Sequence, residues 1–230
     1  MRFFSPKFFR SIMEQRGPRG LLVRFKDLHL EMAVAELKAL FQLLGDDSIG
    51  IGTEDRLPFV HIFSEKTAGI SAEQCRAVCA RSMLVEGFYE EYGRGKTYET
   101  LLDDLDLDRL REDAYAEGTR LKVSVETYGQ SLTQKQKTDR IFRVLAVLTD
   151  KVKVDLKTPT LSLYLFEQMR SRHNIDNELI NIFFTKEVAR NSNSLALTYQ
   201  LRERPFLNTT SMDPCLSFVM ANVALAQPGR

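Results

Sequence analysis

RLKVSVETYG, residues 120–129, decides the fold. Leu121, Val123 and Val125 alternate with Lys122, Ser124 and Glu126, the period-2 pattern of a half-buried strand. Ser131, Thr133 and Gln134 follow as capping residues, and Ile141, Val144, Leu145 and Leu148 then recur at helical spacing, which predicts a helix over 133–148. VKVDLKTPTLSLYLFEQ (152–168) reads as strand, turn at Pro159, strand, and LINIFFTKEVAR (179–190) as a further strand. A strand that feeds a helix and returns to strands is the grammar of a mixed α and β layer.

The same grammar holds upstream in shorter units. LLVRF (21–25) is a buried strand, and Leu30, Val34, Leu37, Phe41 and Leu44 mark a helix over 31–44 that Gly45 stops. GDDSIGIGTEDRLP reads as a turn-rich connection, FVHIF (59–63) as a strand, SAEQCRAVCARS (71–82) as a helix and MLVEGFYEEY (83–92) as a strand. TYETLLDDLDLDRLRED supplies one or two acidic helices. The expected class is α+β, divided into a flexible tail (1–19), a first domain (20–117), a second domain (118–200) and a linker with a helix (201–230).

Charge is uneven along the chain although the net charge is only +1. Residues 86–117 carry eleven acids against four bases, whereas 119–157 carry nine bases against four acids. A localised basic segment is the footprint of an anion-binding face. Lys135, Arg140 and Arg143 fall opposite the apolar stripe of the 133–148 helix, where they can meet a run of phosphates without disturbing the core. Lys137 joins them, and Lys151, Lys153 and Lys157 follow in and beside the next strand, so these seven residues are the candidate RNA-binding set.

Catalytic and metal motifs do not survive inspection. Gly95-Lys96-Thr97 ends like a phosphate-binding loop, but Glu90 stands where that loop needs glycine. Gly50-Ile51-Gly52 lacks the third glycine of a dinucleotide fingerprint, and Asp104, Asp106 and Asp108 lack the central glycine of a calcium loop. Cys75 and Cys79 share a helix face but have no matching pair of further ligands, so no metal is expected. Three cysteines make no disulfide framework, which fits a reducing compartment, and no run approaches a membrane span. A cytoplasmic location is the expectation, with a mitochondrial presequence as the alternative for the basic, aromatic start MRFFSPKFFRSIMEQRGPRG.

LLVRFKDLHLEMAVAELKALFQLLG, MLVEGFYEEYGRGKTYETL, VDLKTPTLSLYL and finally RPFLNTTSMDP (204–214), in that order, resemble the N-terminal half of the eukaryotic and archaeal tRNA guanine-10 N2-methyltransferases. The resemblance implies a ferredoxin-like domain followed by a THUMP-like domain, and tRNA binding that positions a guanine amine for methylation. It implies S-adenosylmethionine as cofactor of the full-length family, with Thr209, Thr210, Ser211 and Met212 at an incomplete edge of its pocket. The family's glycine-rich cofactor loop and its Asn/Asp-Pro-Pro-Tyr motif are not found here, so no cofactor and no turnover are expected of this chain alone. The partners implied are tRNA, a methyltransferase domain in cis or trans, and the family's small zinc-containing activator subunit. A non-catalytic protein-interaction or RNA-binding adaptor is the alternative.

The ending carries its own expectation. Asp213 is a good N-cap, Pro214 suits a first turn, and Leu216, Val219, Met220 and Val223 make an apolar stripe. That stripe is expected to lack a partner in this chain.

Overall fold

The computed structural model describes residues 20–52, 57–64, 66, 69–148, 152–170, 178–192, 198–203, 206, 211–227 and 229. The tail expected over 1–19 lies outside the described residues. The chain forms two compact units, one from residues up to Tyr89 together with those from Val188 onward, the other from Glu90–Glu187.

The first unit holds β1 (Leu21–Phe25), α1 (Leu30–Leu43), β2 (Ile49–Ile51), β3 (Phe59–Ser64), α2 (Ala72–Arg81) and the first part of β4 (Val85–Gly95). The strand order β2-β3-β1-β4, all neighbours antiparallel, with one helix after β1 and one after β3, is the ferredoxin-like βαββαβ arrangement. The connection expected over GDDSIGIGTEDRLP thus contains an edge strand, β2, too short and glycine-rich to announce itself. Gly45, with φ of 75°, ends α1 in the left-handed region as expected. Val23, Phe25, Leu37, Leu40, Phe41, Val85 and Phe88 form the centre of this core.

A last helix, α3 in space but last in sequence, completes the first unit; in chain order it is α6 (Pro214–Val223). Asp213 caps it as predicted, accepting from Leu216 N at 3.1 Å. Its expected solitude is corrected: Cys215 and Val219 are buried in the same core as α1 and α2. The buried face is rotated from the one read in the sequence, so that Met220 and Val223 face solvent while the polar Asn222 points inward. Asn222 is drawn in by the buried Glu36 of α1, whose carboxylate accepts from Asn222 Nδ2 (2.8 Å), Ser82 Oγ (2.7 Å), Met83 N (3.0 Å) and Leu84 N (3.0 Å). Arg81 reinforces the latch, donating through Nε to Asn222 Oδ1 at 2.9 Å.

The second unit holds the rest of β4, then α3 (Tyr98–Asp104), α4 (Leu107–Tyr115), β5 (Leu121–Tyr128), α5 (Gln134–Leu145), β6 (Leu161–Met169) and β7 (Leu179–Arg190) up to Glu187. β5 and β6 are parallel, joined across α5, and β6 pairs antiparallel with β7. The alternation read in RLKVSVETYG is borne out: Leu121, Val123 and Val125 are buried while Lys122, Ser124 and Glu126 are half-exposed. The acidic helices α3 and α4, grouped in the sequence reading with residues 20–117, belong to this second unit because Leu101, Leu110 and Ala114 feed its core. α4 is fastened by Asp113, which accepts from Tyr92 OH at 2.5 Å and from Lys186 Nζ at 3.0 Å.

Candidate nucleic-acid interface

α5 begins where the sequence said it would. Thr133 Oγ1 accepts from Gln136 N at 3.3 Å while Gln136 Oε1 accepts from Thr133 N at 2.9 Å, a reciprocal cap that satisfies two donors at once. Val144 is buried, and Ile141 and Leu145 pack against the same core. Lys135 is exposed and Lys137 half-exposed in the first turns, where no acid accompanies them. Cations at the positive end of the helix dipole are locally unfavourable, so this end carries a concentrated positive potential.

The two arginines behave differently from the expectation that both stand unpaired on the polar side. Arg140 Nε donates to Glu167 Oε1 at 2.6 Å, and Glu167, on β6, is only 1% exposed. Tyr98 OH donates to the same oxygen at 2.5 Å, and burial together with that carboxylate pushes the Tyr98 phenol far up. A buried carboxylate needs such partners, so Arg140 is committed to the interior of the unit. Arg143 pairs with exposed Glu99 and lies 4.6 Å from the Tyr98 ring centroid, with about half of its side chain still open to solvent. The Glu99 carboxyl is held below the usual carboxylate range, first by its own backbone N–H at the start of α3, then by Thr97 and Arg143.

The segment before β6 departs from the expected strand. Residues 152–160 form a turn tied to the start of β5: Val154 makes a single parallel bridge with Leu121, Asp155 N donates to Leu121 O (3.0 Å) and Thr160 N to Arg120 O (2.9 Å). Asp155 organises the turn, accepting from Lys157 N (2.9 Å), Thr158 N (3.0 Å) and Thr158 Oγ1 (2.9 Å). Those donors, Thr158 N first, bring its carboxyl down to about 2. The side chains of Lys153 and Lys157 project from this turn, exposed, and Lys151 lies outside the described residues. Among the described residues Lys135, Lys137, Lys153 and Lys157 form no ion pair.

Topology separates these lysines into two groups. α5 follows the end of β5, whereas the 152–160 turn is bonded to its beginning, so the groups stand at opposite ends of a 12-residue helix, about 18 Å apart.

The remaining predicted residues do not gather into a second site. Thr209 and Thr210 lie outside the described residues; Ser211 is half-buried and Met212 exposed, just before α6. A hydroxyl and a thioether with no neighbouring carboxylate offered to ribose do not by themselves hold S-adenosylmethionine, and no chemical step is derived through it. Gly95-Lys96-Thr97 is the end of β4 and the N-cap of α3; a Cβ at Gly95 would sit 2.3 Å from Leu101 N, which accounts for the glycine. Cys75 and Cys79 are buried thiols in the first core, and no group of three or more His, Cys, Asp or Glu side chains among the described residues could hold a metal. No described helix is long and apolar enough to cross a membrane.

A ferredoxin-like unit coupled in sequence to a βα unit with an exposed basic helix end defines an α+β module of the THUMP class, and comparison with known proteins agrees. Residues 19–193 match the family described as Tmrp11 THUMP N-terminal domain, and the chain belongs to that family. It is 32% identical over 217 residues to the tRNA (guanine(10)-N(2))-methyltransferase TRMT11 of Bos taurus, covering 90% of this chain and 45% of that protein. The human counterpart is 31% identical over 201 residues, covering 84% and 42%. The tRNA (guanine(10)-N(2))-methyltransferase of Saccharomyces cerevisiae is 28% identical over 219 residues, covering 90% and 48%. The chain spans a little under half the length of these curated relatives.

Proposed function

We propose that this chain is a tRNA-binding module that holds tRNA for methylation of a guanine exocyclic amine, with S-adenosylmethionine as the donor in the whole enzyme and the cytoplasm as its place of action. The observation that carries the reading is the set of exposed lysines 135, 137, 153 and 157, unpaired among the described residues, in a family whose curated relatives are named as tRNA methyltransferases. Phosphate contacts fix register and orientation on RNA, whereas base edges specify sequence, so a scaffold of spaced lysines suits recognition of a common shape. Titration of tRNA against the chain at several salt concentrations tests this. Binding that weakens steeply with salt, by roughly 0.7 to 0.9 in the log-log slope for each phosphate contact, is the expected result. No binding at low salt would remove the reading and favour an adaptor that docks protein.

A further inference from the structure

Phe142 is 69% exposed in the middle of a helix whose apolar stripe is already complete without it. The core takes Ile141, Val144 and Leu145, and Phe142 lies off that stripe among polar side chains. Lys135 is two turns earlier on the same line of the helix, about 10 Å away along the axis, and Arg143 is the adjacent residue. Asp139, one turn before Phe142, is the acid on that line, and Glu99 faces Arg143 from α3. An aromatic ring presented to water between two cations matches one chemistry well: an unpaired nucleobase stacks on the ring while its flanking phosphates meet the cations.

We propose that Phe142 is a stacking platform for an unpaired nucleotide, with Lys135 and Arg143 on the phosphates to either side. The proposal rests on the RNA-binding reading and deepens it by naming the state of the nucleotide taken there: unpaired, with its base face free. Shape-reading lysines need no such ring, and a ring buried against protein would not need its cations. The contact is indifferent to base identity, because every base has a π-face.

The test uses the whole chain and a tRNA-like RNA hairpin with a single-stranded 3′ extension carrying 2-aminopurine, beside the same hairpin with its extension paired. Wild-type protein should quench the 2-aminopurine of the unpaired probe only. Phe142→Ala should weaken binding of the unpaired probe roughly 5- to 100-fold and abolish the quench. Its salt slope should stay unchanged, since stacking releases no counterions. Phe142→Trp should restore both signals, and Phe142→Leu, equally apolar but without a π-face, should not. Equal affinities for wild type and Phe142→Ala would overturn the platform while leaving the RNA-binding reading intact. Absence of wild-type binding to either probe would overturn both. Loss of self-association in Phe142→Ala, seen by sedimentation with RNA affinity unchanged, would assign the ring to a second copy of the chain and likewise overturn the proposal.

Discussion

Asn222 Nδ2 donates to Glu36 Oε1 at 2.8 Å, a hydrogen bond between residues 186 apart in sequence, and both side chains are 1% exposed or less. A carboxylate that collects four donors binds α6 to α1 and simultaneously closes the turn between α2 and β4. Replacing Glu36 by Leu strands all four donors in a dry setting, where each costs about 1 to 3 kcal/mol. We expect a loss of roughly 3 kcal/mol or more, seen as a lowered denaturant midpoint at unchanged m-value. Retention of wild-type stability would mean that these donors find other partners.

Val219→Asp tests the seat of α6 directly. Val219 is fully buried, so an aspartate there has neither water nor a cation, and the cost should exceed about 3 kcal/mol. At about 2 to 4 °C per kcal/mol for a chain of this size, the melting temperature should fall by about 6 °C or more. Val223→Asp, on the solvent side, should be nearly silent in the same melt.

Arg140 and the lysines should separate in mutagenesis. Arg140→Glu places a carboxylate against the buried Glu167 and should cost about 3 to 5 kcal/mol of stability. Lys135→Glu with Lys153→Glu should leave the melting curve almost unmoved, because exposed charges contribute about 0 to 1 kcal/mol each. The lysine pair should instead weaken tRNA binding and reduce its salt slope by roughly 0.7 to 0.9 per lost contact. Unaltered tRNA affinity in the lysine double variant would take these positions out of the interface.

Acid should loosen the 152–160 turn late. The Asp155 carboxyl is lowered to about 2 from an ordinary value of 3.8. Its contribution is therefore complete above the unfolded value, near pH 4, and is lost as the pH falls through about 2. Amide exchange at Lys157 and Thr158 should remain slow at pH 4 and accelerate towards pH 2. In Asp155→Asn the same amides should lose that pH dependence.

Local pattern carried the elements well and the partnerships poorly. Strand β5 and the cap of α5 were legible because period-2 alternation and a Thr-x-x-Gln box are read within a dozen residues. Arg140 was misplaced because its partner, Glu167, sits 27 residues on in β6, where strand parity alone hints that an acid faces inward with Leu163 and Leu165. Glu36 gave a comparable hint: it stands three residues after Ala33 and four before Leu40, on the buried side of α1. A reading that sends every charge to solvent passes over both. The face of α6 was misjudged for the same reason, since only Glu36 explains why Asn222 turns inward and Met220 outward.

The division of the first unit between two stretches of chain also sets an order of events during synthesis. Residues up to Tyr89 leave the ribosome long before Val219 and Asn222, which complete their core. At about 5 to 20 residues per second the early stretch waits on the order of ten seconds for α6. Glu90–Glu187, contiguous, has everything it needs first. The earliest-made part of the protein is thus the last to be sealed, and during that interval the donors around Glu36 and the seat of Val219 are the exposed surface a nascent-chain chaperone would meet.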